Sequence, residues 1–290
     1  LSIVLALALV SLCVSTVSVA AESEPKKAQA ATAANSAAPR SFDTPQQAAD
    51  VLVDSAEKFD VGALAQIFGP NGEDIIFSGE FAQDRKHAAD FAAQAREKTT
   101  VSVDSKSRNR AFVLVGKEDW PFPVPVVKMG DKWSFDAKAG HQELLYRRIG
   151  ANELDAIQVC QGYVEAQYDY ALQKREIYDV NHEKIARAIE QGYTSQSDPY
   201  HGYFFKILKG QGPAAPLGQM DFVVKDVMIG GFALVAAPAQ YGVTGVRTFI
   251  VSQDGVVYDR DLGLKTLDEF QKMDRFNPDK SWSPVLADAE

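Results

Sequence analysis

The chain is poor in the residues that staple, ligate or coat. It has two cysteines, four histidines and three tryptophans in 290 residues, and one of the cysteines, Cys13, sits in an apolar leader. Beyond that leader Cys160 stands alone, so no intrachain disulfide can close and stability has to come from packing. His87, His141, His182 and His201 fall at no i, i+4 spacing that would put two imidazoles on one helical face, which excludes a closed zinc site of the usual spacing. Basic residues are the minority, with 30 Lys and Arg against 39 Asp and Glu, a net charge of −9 and a pI near 5.1. Coating nucleic acid needs an excess of Lys and Arg to displace counterions from phosphates, so no nucleic-acid partner is expected. No Walker loop, Gly-x-Ser-x-Gly elbow or Cys-x-x-Cys pair occurs. Gly210-Gln211-Gly212-Pro213 reads as a turn, because Pro213 and the lack of a following helix deny it the geometry of a phosphate loop.

What is present begins with Leu1 to Ala20, an uncharged apolar stretch ending Ser18-Val19-Ala20, with a small residue at each position that a signal peptidase reads. It predicts a signal peptide over 1–20, a periplasmic or secreted location and no membrane span after cleavage. Kept uncleaved, the same stretch is long enough to act as an anchor. Residues 21–40 are Ala-rich, with Ser, Glu, Lys and Pro and no large apolar side chain, the composition of a disordered linker.

Two α+β domains are expected after it, over 41–150 and 151–285. Thr44-Pro45-Gln46-Gln47 combines an N-cap Thr, a Pro at the first helical position and a capping-box Gln, and Ala48, Val51, Leu52, Ser55 and Phe59 mark the inner face of the helix that follows. Asp60 caps a second helix through Leu64 and Phe68 to Gly69, and Phe81, Ala88, Phe91, Ala92 and Ala95 mark a third. From Thr99 the period becomes two, through Val101 and Val103, Ala111 to Val115, and a hairpin of Val126–Met129 and Lys132–Phe135 across Gly130-Asp131. The first domain is thus N-terminal helices with a curved antiparallel sheet. In the second, a short helix over 140–150 gives way to a long one capped by Asn152, with Leu154, Ile157, Gln161, Val164, Tyr168 and Ala171 along one stripe. A polar stretch to Ser197 leads into strands at 203–208, 222–224, 232–236, 248–251 and 256–258, a small antiparallel sheet under the long helix.

Five stretches carry a resemblance: Asp119-Trp120-Pro121-Phe122-Pro123-Val124-Pro125, Arg148-Ile149-Gly150-Ala151-Asn152-Glu153-Leu154-Asp155-Ala156-Ile157, Pro199-Tyr200-His201-Gly202-Tyr203-Phe204-Phe205-Lys206-Ile207-Leu208, Met228 to Ala239, and Thr248 to Tyr258. Together they resemble the exported bacterial family of domain of unknown function 2950, over Phe42 to about Trp282. The chain departs from the family pattern between Tyr170 and Gly192, where a shorter polar run, Gln173-Lys174-Arg175-Glu176, replaces a longer insertion. The second half is also similar to the globular part of type IV pilin-like proteins and pseudopilins, which implies a pilin-like sheet under the long helix. The pilin's apolar assembly helix is not joined to it, so polymerisation is not implied.

His201 is the leading polar candidate, because Pro199-Tyr200-His201-Gly202-Tyr203 turns the backbone tightly beside two aromatics, a setting for ligand contact or for a structural hydrogen bond. Tyr203 belongs to the same candidate contact. Trp120, Phe122 and Trp133 around the Pro-rich run either line a pocket, form a partner surface or complete the core, and Pro at every second position makes that run an edge or a crossing. Asp259 and Asp261 share a strand face and with Asp254 are candidate calcium ligands, the alternative being a solvated edge. Cys160 reads as a small buried hydrophobe, with a nucleophile or an intermolecular link as the alternatives. The expected function is that of an exported envelope protein without cofactor, a non-enzymatic binding or assembly accessory engaging an envelope protein. A small-molecule binder or hydrolase with a pocket in the first domain is the rival reading.

Overall fold

A computed structural model of the chain describes residues 38–172, 199–225, 227–228 and 230–286. The leader, the linker up to residue 37, the polar run after the long helix and His182 lie outside the described residues. Helices and antiparallel sheets make an α+β protein that divides into two compact units. Of the described residues, the first takes those up to Phe122 together with Val126–Ala137, and the second takes Pro123–Pro125 and those from Lys138 onward.

In the first unit, helices α1 (Pro45–Glu57), α2 (Val61–Phe68), α3 (Glu73–Ile76) and α4 (Phe81–Glu97) precede strands β1 (Thr99–Val103), β2 (Arg110–Val115), β3 (Trp120–Pro121), β4 (Val126–Met129) and β5 (Lys132–Phe135). The caps form as their residues dictate: Thr44 accepts from the Gln47 N–H at 3.1 Å and Asp60 from the Ala63 N–H at 3.0 Å. The sheet runs in the order β1-β2-β4-β5, with β3 paired to β2 beyond the end of β4. Chain alternation sends Ala111, Val113, Val115, Val126 and Phe135 to one buried face, where α1, α2 and α4 pack. The Pro-rich run is an edge and then a crossing, since β3 spans only Trp120–Pro121 and Val124 passes into the second unit, buried against Gly140.

The second unit is built on α5 (Ala137–Leu172). The expected break at Gly150-Ala151-Asn152 does not exist: one helix of 36 residues runs through it, and the expected boundary at 150 falls inside that helix. A single helix-interior Gly costs only about 1 kcal/mol, too little to stop a helix that packing holds on both sides. The expected stripe holds at Ile157 and Val164 but its centre is displaced. Leu154 and Gln161 are exposed, and the buried face is Ala156, Val159, Cys160, Tyr163 and Val164. Small side chains at 156 and 160 admit the sheet closely, which the larger Leu154 and Gln161 do not.

Strands follow as β6 (Tyr203–Leu208), β7 (Gly210–Gln211), β8 (Met220–Asp221), β9 (Val223–Val224), β10 (Val227–Met228), β11 (Ala233–Pro238), β12 (Arg247–Ser252), β13 (Tyr258–Asp261), β14 (Arg275–Phe276) and β15 (Ser283–Pro284), with helix α6 (Thr266–Lys272). The main sheet is an antiparallel meander, β6-β11-β12-β13-β15. Its inner strand β11, between β6 and β12, is buried at every position because both faces are covered. Leu234 and Ala236 meet the helix side with Tyr203, Phe205 and Phe249. Ala233, Val235 and Ala237 meet Phe222, Phe270 and Phe276 on the other. Among the described residues no helix is long and apolar enough to cross a membrane.

Candidate functional site

A polar constellation gathers where the Tyr200–Tyr203 turn and the β11–β12 loop meet α5. Tyr200 and Tyr203 exchange backbone hydrogen bonds at 3.0 and 2.9 Å around a two-residue tip. His201 and Gly202 both have positive φ, 45° and 76°, the signature of a type I′ turn. Gly takes that conformation freely, whereas a residue with a Cβ pays about 1 kcal/mol for it. His201 therefore stays there because its surroundings hold it.

Those surroundings can be named. Nδ1 of His201 lies 2.5 Å from Oδ2 of Asp155 on α5, and its ring stacks on Tyr200 with centroids 4.2 Å apart and planes 8° from parallel. The Gly202 carbonyl accepts from the Ala239 N–H at 2.8 Å. One turn back along the helix, the Asn152 amide donates to the Thr244 carbonyl at 2.8 Å. Beside it, Oε1 of Glu153 accepts from the N–H groups of Val246 and Arg247 at 2.8 and 2.9 Å. Asn152 is thus no cap but a mid-helix clamp on a loop 92 residues away in sequence. The loop itself is closed by Thr244, whose hydroxyl accepts from the Gln240 N–H and whose own N–H donates to the Gln240 carbonyl.

Tyr203 forms the floor. It is 1% exposed, its hydroxyl donates to the Arg247 carbonyl at 2.8 Å, and burial first, with the Glu153 carboxylate adding, pushes its phenol well above the ordinary range. Gly245 lies on its ring so closely that a Cβ there would stand 2.2 Å from Oη. Beneath, Cys160 is fully buried and desolvation pushes its thiol up to about 12, the state of a small hydrophobe and not of a nucleophile.

The structure separates the other expected residues from this cluster. Trp120, 57% exposed, Phe122 and Trp133 belong to the first unit. Phe122 is half-buried among Phe68, Phe91 and Phe135, with ring centroids 6.3, 5.0 and 6.2 Å away, and Trp133 is buried beside the backbone bridge to Phe42. Trp133 and Tyr203 are buried and complete cores, so neither offers a partner a surface, while Phe122 stays half-buried. The three candidate calcium ligands stay apart in their bonding. Asp254 accepts from the Ser252 hydroxyl and the Val256 N–H, Asp259 pairs with Arg247 at 3.1 Å, and Asp261 accepts from the Tyr241 hydroxyl and the Gly263 N–H. Among the described residues no group of three or more His, Cys, Asp or Glu side chains converges as a metal site.

Sequence reasoning reached His201 and missed Asn152, Glu153, Asp155 and Thr244. Their signal was three polar side chains within four positions of a helix, which by itself reads as a solvated face. What gives them a role is the tertiary approach of the turn and the loop.

The profile of the family described as Protein of unknown function (DUF2950) matches residues 39–184 and 181–285, and the chain belongs to that family. No curated protein and no solved structure matches the chain.

Proposed function

We propose that this member of the DUF2950 family is an exported, non-enzymatic binding or assembly accessory that engages an envelope protein through the Tyr200–His201 turn. The observation that carries the reading is His201 held at positive φ by a carboxylate, a stacked ring and a clamped loop while its side chain is half exposed. A turn needed only for chain reversal is cheaper with Asn or Gly at that position. Strain maintained by surrounding bonds fixes a side chain in advance, and a pre-fixed imidazole and phenol lower the ordering cost of association.

The Asp155–His201 pair has the form of an oriented general base. Among the described residues, however, the hydrogen bonds bring no Ser, Thr or Cys side chain to the ring. Of the aromatics that the rival pocket in the first unit would use, Trp133 is buried, Phe122 is half-buried among Phe68, Phe91 and Phe135, and Trp120 is exposed.

The test is a cross-linked pull-down of the tagged protein from the cell envelope. Wild type is compared with His201→Ala and Tyr200→Ala, after melting curves show both variants folded. A discrete partner retained by wild type and lost by both variants is expected. The same recovery from all three overturns the assignment of the turn.

A further inference from the structure

On a chain with a net charge of −9, one end of the first unit's sheet is basic. The loop between β1 and β2 carries Lys106 and Arg108 and leads into Arg110, and the β4–β5 hairpin carries Lys128 and Lys132. These two loops are neighbours: the Lys128 N–H donates to the Asn109 carbonyl at 2.8 Å and Arg110 is in register with Val127. All five basic residues are exposed.

What sets them apart is their clustering: elsewhere on the unit Arg40, Lys58 and Arg85 also lack an ion pair among the described residues but stand singly. Lys86, Arg96, Lys98 and Lys117 each pair with a carboxylate. Among the described residues no carboxylate forms an ion pair with Lys106, Arg108, Arg110 or Lys128, and Lys132 alone is paired, with Asp43. Arg110 lies over the Phe112 ring. The acidic residues of the two loops are Asp104 and Asp131. Asp104 is used to shape its loop, accepting from the Lys106 N–H and the Ser107 hydroxyl, and it also attracts Arg110 electrostatically without closing an ion pair. Exposed apolar side chains stand at the same end, Met129 at 70% next to the hairpin tip and Val103 at 45% where β1 runs out.

We propose that this end docks the protein peripherally on an anionic bilayer surface. Lys106, Arg108, Arg110 and Lys128 meet lipid phosphates, and Met129 enters the boundary between headgroups and acyl chains. A cluster of exposed cations flanking an exposed apolar tip is the combination that lipid interfaces select, whereas a soluble polyanion has no use for the Met. The inference rests on the loops of the first unit and stands whether or not the Tyr200–His201 turn binds a partner.

Flotation of the full chain with vesicles of phosphatidylcholine, with and without phosphatidylglycerol, tests it. Binding to the anionic vesicles only is expected, falling steeply when salt is raised to about 0.5 M, where the screening length drops to a few ångströms. Lys106→Glu/Arg108→Glu/Lys128→Glu abolishes it, and Met129→Ser weakens it about tenfold at unchanged charge. Lys86→Glu/Lys117→Glu, an equal kind of change elsewhere on the unit, leaves it intact. Wild type that ignores anionic vesicles overturns the proposal, as does a triple variant that is folded by its melting curve and floats like wild type. Equal binding by Met129→Ser, with full competition by soluble polyphosphate, identifies a general polyanion surface and overturns it too.

Discussion

At the scale of single residues, the site is decided by contacts that leave no room for a methyl group or for an absent acceptor. Gly245→Ala pushes a Cβ into the Tyr203 hydroxyl and is expected to destabilise the protein by about 1–3 kcal/mol in urea titration. Glu153→Ala strands the Val246 and Arg247 N–H groups and is expected to cost about 1–3 kcal/mol, while Tyr203→Phe, losing one hydrogen bond, costs about 1 kcal/mol. Stability unchanged in Glu153→Ala would show that the clamp is ornamental. Cys160 is expected to ignore thiol reagents at pH 8 in the folded protein and to react fully in denaturant, since its thiol is pushed up to about 12 by burial. At this scale the burial of Cys160 and a hydrogen bond at His201 were legible, and the burial of Tyr203 was not. An aromatic in a Gly- or Pro-rich setting has the same appearance whether it faces a partner or closes a core.

At the scale of elements, caps and hairpins were readable because their causes are local: Thr44, Asp60 and the Gly130-Asp131 turn each act within four residues. The unbroken α5 and its rotated stripe were not, because only the sheet arriving from residues 203–251 decides which side chains of that helix are covered. Helix α6 escaped for the same reason. Its C-terminal carbonyls are met by Lys206 of β6, which donates to Phe270 and Gln271 while crossing the Phe270 ring, a partner 64 residues away. The start of α4 yields a pH prediction. The Ser78 hydroxyl and then its N–H hold the Asp84 carboxyl below its ordinary value, with burial opposing. A folded-state value depressed in this way contributes stability above the unfolded carboxyl's value near 4 and loses it as the pH falls through the folded one. Acid titration monitored by circular dichroism is therefore expected to show Ser78→Ala unfolding at higher pH than wild type. Coincident acid limbs would remove Asp84 from the account.

At the scale of the whole molecule, two α+β units share one chain whose acidic balance conceals a basic end, and composition alone cannot show such segregation. Burial raises both Cys160 and Tyr203 above their ordinary values, so the folded state holds these protons more tightly than the unfolded one. Their contribution is complete below about pH 8.5 and is lost as the pH climbs toward the folded values. Base-induced unfolding beginning above that pH in wild type, and shifted upward in Cys160→Ala, is the expected outcome of a pH-jump fluorescence titration. Family membership and the α+β class were legible from motif order and periodicity, while the clamp joining residues 152–155, 200–203 and 239–247 exists only once the chain is folded. The most direct test of the central claim is a photoactivatable cross-linker placed at position 201 in living cells, compared with one at Leu264, which is 91% exposed elsewhere on the second unit. One discrete adduct from position 201 and none from 264 is predicted. No adduct from 201, or the same adducts from both positions, would contradict the claim that the Tyr200–His201 turn is where this protein meets its partner.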